Sequence, residues 1–205
     1  MVQRVQAVLF DMDGVLIESI DAWYALIEDA ARMLGKPAPS RERYARHFGQ
    51  TAHDDARLFF DEAIGGEELD AFYAERFARH MDRVRLMPGA LEVLERLRAL
   101  GRKVGCVTNT VVPLAREIQA ATGLADRLDV AVAHGDCPRG KPAPDLVLLA
   151  LERLGGLAPE RALLVGDSRF DMEAARAAGV TPVGFRRDDG AWRIDELPAL
   201  LDRLR

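Results

Sequence analysis

Five short apolar runs punctuate the chain, at residues 5–10, 104–107, 130–133, 162–165 and 180–185. Within each run the apolar residues follow one another almost without the polar alternation of a half-exposed strand. Strands covered on both faces of a parallel sheet carry this pattern. A second periodicity lies between them. Leu91, Leu94, Leu97 and Leu100 recur at helical spacing and stop at Gly101, a residue suited to a helix C-cap. Val147, Ala150, Leu151 and Leu154 form another stripe that ends at Gly155-Gly156, and Leu197, Leu200, Leu201 and Leu204 form a third. From about residue 89 onward, strand and helix alternate. That order predicts an α/β fold built on a doubly wound, Rossmann-like parallel sheet with right-handed crossovers.

The interval between the first two strands breaks the pattern. Residues 15–87 contain no convincing strand, only helix-like segments near 19–34, 53–64 and 67–81, with breaks at 35–40, Gly49 and Gly65-Gly66. A single crossover needs far fewer residues. The expectation is a helical domain, residues 16–87, inserted into a core made of residues 1–15 and 88–205.

Composition narrows the class of function. The 205 residues are 49% hydrophobic and 30% charged, which excludes a disordered or collagen-like chain. Acidic residues outnumber basic ones, 33 to 28, for a formal net charge of −5, so neither a nucleic acid nor a membrane surface is the expected partner. The N-terminus runs straight into strand-like sequence rather than a secretory signal, and two cysteines are too few for a disulfide framework; both point to a reducing cytoplasm. Oligomeric state is not legible. Lysine occurs only at Lys36, Lys103 and Lys141, so a lysine with a specific chemical task has few candidates.

The polar residues that follow the predicted strands carry the chemistry. Asp11 and Asp13 end the first strand, and i, i+2 side chains of extended backbone face the same way. Two converging carboxylates call for a cation or a shared proton, and Mg²⁺ with phosphate oxygens is the common solution; a solvated Asp-Gly turn at Gly14 is the plainer alternative. Thr108 and Asn109 follow the second strand, where a hydroxyl and main-chain N–H groups either seat a phosphate or cap a helix. Lys141 lies in a loop stiffened by Pro142 and Pro144 and is either a phosphate-binding point charge or a surface lysine. Asp167 follows the fourth strand as a third carboxylate at the same edge. Ser168 and Asp171 fit a capping box, which is compatible with Asp171 supporting the site. All of these positions fall at the carboxyl ends of parallel strands, where open α/β sheets bind ligands.

Asp11-Met12-Asp13-Gly14, Thr108-Asn109, Lys141 with Pro142-Ala143-Pro144-Asp145, and Gly166-Asp167-Ser168 with Asp171 resemble, in order and over nearly the whole chain, the four motifs of haloacid dehalogenase-like hydrolases. Within that family the likeness is greatest to phosphoglycolate phosphatases and related small-molecule phosphatases with an α-helical cap. The resemblance implies a small phosphorylated metabolite as substrate, with phosphoglycolate, a sugar phosphate and a nucleoside monophosphate all open, and Mg²⁺ as cofactor. It implies Asp11 as nucleophile and Asp13 as general acid and base, with the Asp13 main-chain carbonyl joining Asp11 and Asp167 around the metal. It implies that Thr108, Asn109 and Lys141 hold the phosphoryl group, supported by Asp171 and Ser168. It also implies that a cap loop containing Gln50, Thr51 and His53 reaches the leaving group.

Rival readings differ at named residues. The dehalogenases proper lack an acid/base aspartate two positions after the nucleophile, so Asp13 favours phosphate chemistry. Phosphosugar mutases resembling β-phosphoglucomutase, the nearest alternative, place a cap histidine where this chain has Trp23. Phosphonate hydrolases need a cap lysine near the first motif, and Lys36 lies in a Pro-rich loop instead. A receiver domain would carry its phosphoacceptor after the third strand. His47, His53, His80 and His134 show no metal-ligand spacing along the chain.

Overall fold

The computed structural model describes residues 5–204; the lead-in at residues 1–4, on which part of the localisation argument rests, and residue 205 lie outside it. A six-stranded sheet forms the centre. Its strands are β1 (Ala7–Phe10), β4 (Lys103–Val111), β5 (Val130–His134), β6 (Ala162–Gly166), β7 (Thr181–Phe185) and β8 (Trp192–Ile194). Their order is β5-β4-β1-β6-β7-β8, and every pairing is parallel. The predicted α/β class and doubly wound parallel sheet are therefore found.

Burial on both faces explains the unbroken apolar runs. In β1, Ala7 and Leu9 pack on one side with Leu146 and Val147 of α7 (Asp145–Arg153) and with Ala174 and Ala175 of α8 (Arg169–Ala178). Val8 and Phe10 pack on the other with Val93, Leu94 and Leu97 of α5 (Ala90–Ala99) and Leu114 and Ile118 of α6 (Val112–Thr122). Each fully buried Leu or Phe contributes about 1.5–3 kcal/mol of transfer free energy, so the sheet is held from both faces. The leucine stripe at the C-terminus condenses to a short helix, α9 (Ala199–Arg203), which rests on α5.

The sixth strand has no counterpart among the five apolar runs. Residues 186–191 turn back so that β8 pairs in parallel with β7 without a helical crossover. Two glycines make the tight return feasible: a Cβ at Gly184 would lie 2.4 Å from the Arg187 carbonyl oxygen, and one at Gly190 would lie 2.5 Å from the Gly184 nitrogen.

The long interval after β1 is helical: α1 (Ile20–Met33), α2 (Arg41–Ala45), α3 (Ala52–Phe60), α4 (Gly66–Arg76) and a 3₁₀ segment, Phe77–Arg83. The two-residue strands β2 (Ile17–Glu18) and β3 (Arg85–Leu86) pair antiparallel where the chain leaves and rejoins the sheet. They are shorter than sequence periodicity can register. The fold is thus a Rossmann-like core with an inserted α-helical cap.

Candidate active site

The chain runs from β1 outward to β4 and β5, then returns to β6 on the other side of β1. Such a reversal opens a crevice at the carboxyl edge, between neighbouring loops. β1 is flanked by β4 and β6, so Asp11 stands between Thr108 and Asp167. The sequence-predicted core residues are thereby brought together from four separated segments.

Lys141 is the electrostatic centre. Its Nζ lies 2.7 Å from Asp11 Oδ1 and 2.6 Å from Asp171 Oδ1, and donates to the Val107 carbonyl at 3.1 Å. Lys141, Asp11 and Asp171 are all buried. Burial alone would lower the lysine pKa, but the charges of Asp11 and Asp171 outweigh it and raise the value. The backbone of Lys141 is held as firmly: its N–H donates to Asn109 Oδ1 at 2.7 Å, and Asn109 Nδ2 donates to its carbonyl at 2.9 Å. The same Asn109 amide donates to the Gly49 carbonyl of the cap at 3.0 Å. Asp171 keeps its capping role, with Ser168 Oγ and N–H both donating to Oδ2 at 2.6 and 3.0 Å. One carboxylate therefore starts α8 and anchors the lysine. Gly166 permits this approach, since a Cβ there would fall 2.1 Å from Asp171 Cβ.

Asp13 faces the cap. Its Oδ1 accepts from Ser19 Oγ at 2.6 Å and Trp23 Nε1 at 2.8 Å, and its Oδ2 accepts from Thr110 Oγ1 at 2.8 Å. Sequence reasoning misses Ser19, Trp23 and Thr110 as site residues. It reads Trp23 only as the absence of a histidine, and hydroxyls flanking the motifs are too common a signal to single out the other two. β4 runs on to Val111, so Thr108 sits inside the strand, where the register against β5 shifts, rather than at its end; Thr108 is buried and its hydroxyl accepts from the Thr110 N–H at 3.0 Å.

Negative charge is in excess. Carboxylate oxygens of Asp11, Asp167 and Asp171 lie within 4.8 Å of one another. Burial, then the charge of Asp171, pushes the Asp11 carboxyl well above its ordinary value. The same two causes push Asp167 up to about 7. Gly14, at φ +85°, lets the β1 loop pass against Asp167, because a Cβ there would lie 2.1 Å from Asp167 Oδ2. One lysine does not balance this set, and a hard divalent cation between Asp11 and Asp167 is the chemistry that the donors fit.

The cap closes over these groups. The cavity beside Asp11 and Asp13 has a volume of about 40 Å³, with Trp23, Tyr44, Phe48, Gln50, Asp55 and Tyr73 on its cap side. Gln50 Nε2 and Tyr73 Oη donate to the Asp55 carboxylate at 2.7 and 3.0 Å. Thr51 and His53 do not join this lining. Thr51 caps α3 through the Asp54 N–H, and both residues border a neighbouring cleft.

Burial raises the Asp55 pKa to about 7, despite the hydrogen bonds from Gln50 and Tyr73 that lower it. A folded value above the unfolded one near 4 means that this group's contribution to stability is full below pH ~4 and is lost as pH rises through ~7. Asp55→Asn removes that loss. Urea unfolding at pH 5 and pH 8, in saturating Mg²⁺, should show the variant gaining roughly a few kcal/mol on wild type between the two pH values. An unchanged difference would place Asp55 in a more polar setting.

Comparisons with known proteins show the family and the fold. A family model described as haloacid dehalogenase-like hydrolase matches residues 5–179. The phosphoglycolate phosphatase of Escherichia coli (strain K12) is 31% identical over 207 residues, covering 89% of this chain and 82% of that protein. Among solved structures, a hydrolase from Pseudomonas syringae superposes with a TM-score of 0.84 at 26% identity, covering 98% of this chain and 97% of the other. CbbY from Rhodobacter sphaeroides, in complex with phosphate, shares the fold with a TM-score of 0.83 at 24% identity over 98% of this chain and 99% of the other.

Proposed function

The chain belongs to the haloacid dehalogenase-like hydrolases and is a phosphoric monoester hydrolase of the phosphoglycolate phosphatase-like kind, and from that premise we propose that it cleaves a small phosphorylated metabolite through a phosphoryl group carried on Asp11. The observation that carries this reading is Lys141, buried and shared between Asp11 and Asp171 at the sheet edge, with Thr108 and Asp167 on either side.

The proposed reaction has two halves. An Asp11 carboxylate oxygen attacks phosphorus, the bond to the leaving oxygen breaks, and that oxygen takes a proton from Asp13. Asp13 then takes a proton from water as the water oxygen attacks phosphorus, which frees Asp11 and inorganic phosphate. Mg²⁺, held by the Asp11 and Asp167 carboxylates and the Asp13 main-chain carbonyl, would neutralise charge on the phosphoryl oxygens. Lys141, Thr108 and the Asn109 N–H would hold those oxygens through both halves. Three donors fix the Asp13 carboxylate in place for the base step. For the acid step, the Ser19 and Thr110 hydroxyls can rotate from donating to accepting.

The cap decides access and specificity in this reading. A cavity of about 40 Å³ holds little more than one water, whereas ligand sites span about 300–1,000 Å³. The inserted residues 16–87 would therefore swing away on the paired strands β2 and β3 to admit substrate, and close to exclude water. Among the described residues lining the cavity, aromatic rings and the carboxylates of Asp55 and Asp70 are present, with no arginine or lysine, and the one histidine, His47, has its pKa lowered by burial and by nearby arginines. This lining supports a leaving group rich in hydroxyls, such as a sugar, over one that carries its own carboxylate. The mutase alternative gains nothing from Trp23, whose indole N–H can donate to Asp13 but cannot take a proton.

Phosphate release from a panel of phosphomonoesters tests the division of labour. Gln50→Ala should reorder the substrates by kcat/KM. Thr108→Ala and Lys141→Ala should slow all of them, by about 10²–10³ if each removes one stabilising contact to the transition state. A uniform loss from Gln50→Ala would move specificity away from this wall of the cavity. Thr51 and His53 remain proposed contributors through the neighbouring cleft, and alanine variants of each belong in the same panel.

A further inference from the structure

We propose that His53, Asp70 and His134 form a second metal site, distinct from the magnesium site, which takes a zinc-class transition-metal ion and ties the cap to the core. Their donor atoms all lie within 4.8 Å of one another. His53 comes from the first turn of α3, Asp70 from α4, and His134 from the last position of β5. The first two belong to the cap and the third to the core.

The donor set points to the kind of ion. Two imidazoles and one carboxylate form a three-ligand zinc set that leaves one position open. Mg²⁺ prefers oxygen ligands and does not suit this group. A tetrahedral zinc ion with bonds of about 2.0–2.1 Å holds its donors about 3.3 Å apart, so modest side-chain rotation would complete the site. The imidazole rings are 6.2 Å apart between centroids and inclined at 72°, so they converge without stacking.

A second, independent observation is the state of His134. Its Nδ1 is buried and has no hydrogen-bond partner. A buried polar atom left alone is costly, and an imidazole nitrogen is satisfied by a metal as well as by a proton donor. Space is reserved for both rings by glycines: a Cβ at Gly66 would lie 2.2 Å from His53 Cγ, and one at Gly140 would lie 3.2 Å from His134 Nδ1. The three residues border an open cleft and His53 is exposed, so an ion has a way in.

An ion at this position joins the moving part to the fixed part. Opening the cap would break at least one ligand bond, so occupancy should hold the enzyme closed and suppress turnover while Mg²⁺ stays in place. Equilibrium dialysis with Zn²⁺ in excess Mg²⁺ tests binding without any substrate, so its result is independent of the phosphatase reading. Wild type should bind one Zn²⁺ per chain, and Co²⁺ in the same conditions should give the visible bands of a tetrahedral site. His134→Ala and Asp70→Asn should lose both signals, and Asp167→Asn should keep them. His134→Ala should retain Mg²⁺-dependent turnover and need at least tenfold more Zn²⁺ for inhibition. Should His134→Ala fail to fold, His134→Gln and Asp70→Asn carry the test. Undiminished zinc and cobalt signals in the histidine and Asp70 variants, or their loss in Asp167→Asn alone, would overturn the proposal.

Discussion

Asp11→Asn should abolish turnover, by about four orders of magnitude or more, while the protein stays folded. The substitution keeps the size of the side chain and its ability to accept from the Met12 N–H, which reaches Asp11 Oδ1 at 2.7 Å. It removes the attacking oxygen charge, and losses on this scale are typical when a nucleophile is deleted. The fold should tolerate the change because Asp11 is strained as an anion: burial and the charge of Asp171 already push its carboxyl well above the ordinary range. Asparagine relieves that repulsion, while Lys141 retains Asp171 as its partner at 2.6 Å. Steady-state phosphate release and a thermal melt decide the matter together. A folded Asp11→Asn protein with a tenth of wild-type activity would remove Asp11 from the nucleophile role. Beryllium fluoride should bind wild type as a mimic of the phosphorylated aspartate and fail to bind the variant.

Removing Mg²⁺ should eliminate activity and lower stability in the same step. Asp11, Asp167 and Asp171 crowd their carboxylate oxygens within 4.8 Å, and Asp167 is pushed up to about 7 by burial and by Asp171. Without a cation, the Asp167 contribution to stability is present below pH ~4 and is lost as pH rises through about 7. A cation that binds only the folded state reverses this loss, by about 2.7 kcal/mol at a concentration 100 times its Kd. For a chain of this size that corresponds to a rise in Tm of roughly 5–10 °C. Mg²⁺ affinity should also increase with pH across the neutral range, because binding displaces protons from these carboxyls. Calorimetric melts with excess chelator and with Mg²⁺ read the stability change, and Asp167→Asn should erase most of it. Full activity in excess chelator would exclude the metal-assisted scheme. Ca²⁺, which accepts a looser geometry, should bind and inhibit.

Local patterns carried much of the protein. The unbroken apolar runs named buried parallel strands because only a strand covered on both faces needs apolar residues at consecutive positions. The absence of such runs between residues 15 and 87 marked the inserted helices, since a crossover has no use for that length. Asp11, Asp13, Thr108, Lys141, Asp167 and Asp171 were legible because each follows an apolar run, and the carboxyl ends of such runs in this class of fold share one edge. Sequence stopped where the interaction is made by partners distant in the chain. Strands β2 and β3 span two residues each, so they leave no periodicity, and only their pairing makes them visible. Strand β8 depends on Gly184 and Gly190 letting a return loop pack against β7, a clearance that exists only in three dimensions. The support of Asp13 by Ser19, Trp23 and Thr110 joins residues up to 97 positions apart. Histidines 53 and 134 have no metal-ligand spacing in the chain, yet lie ring to ring once the cap folds over the core. Periodicity reports which face of an element is buried; which groups then meet, and in what charge balance, is set by the packing of elements that sequence order keeps apart.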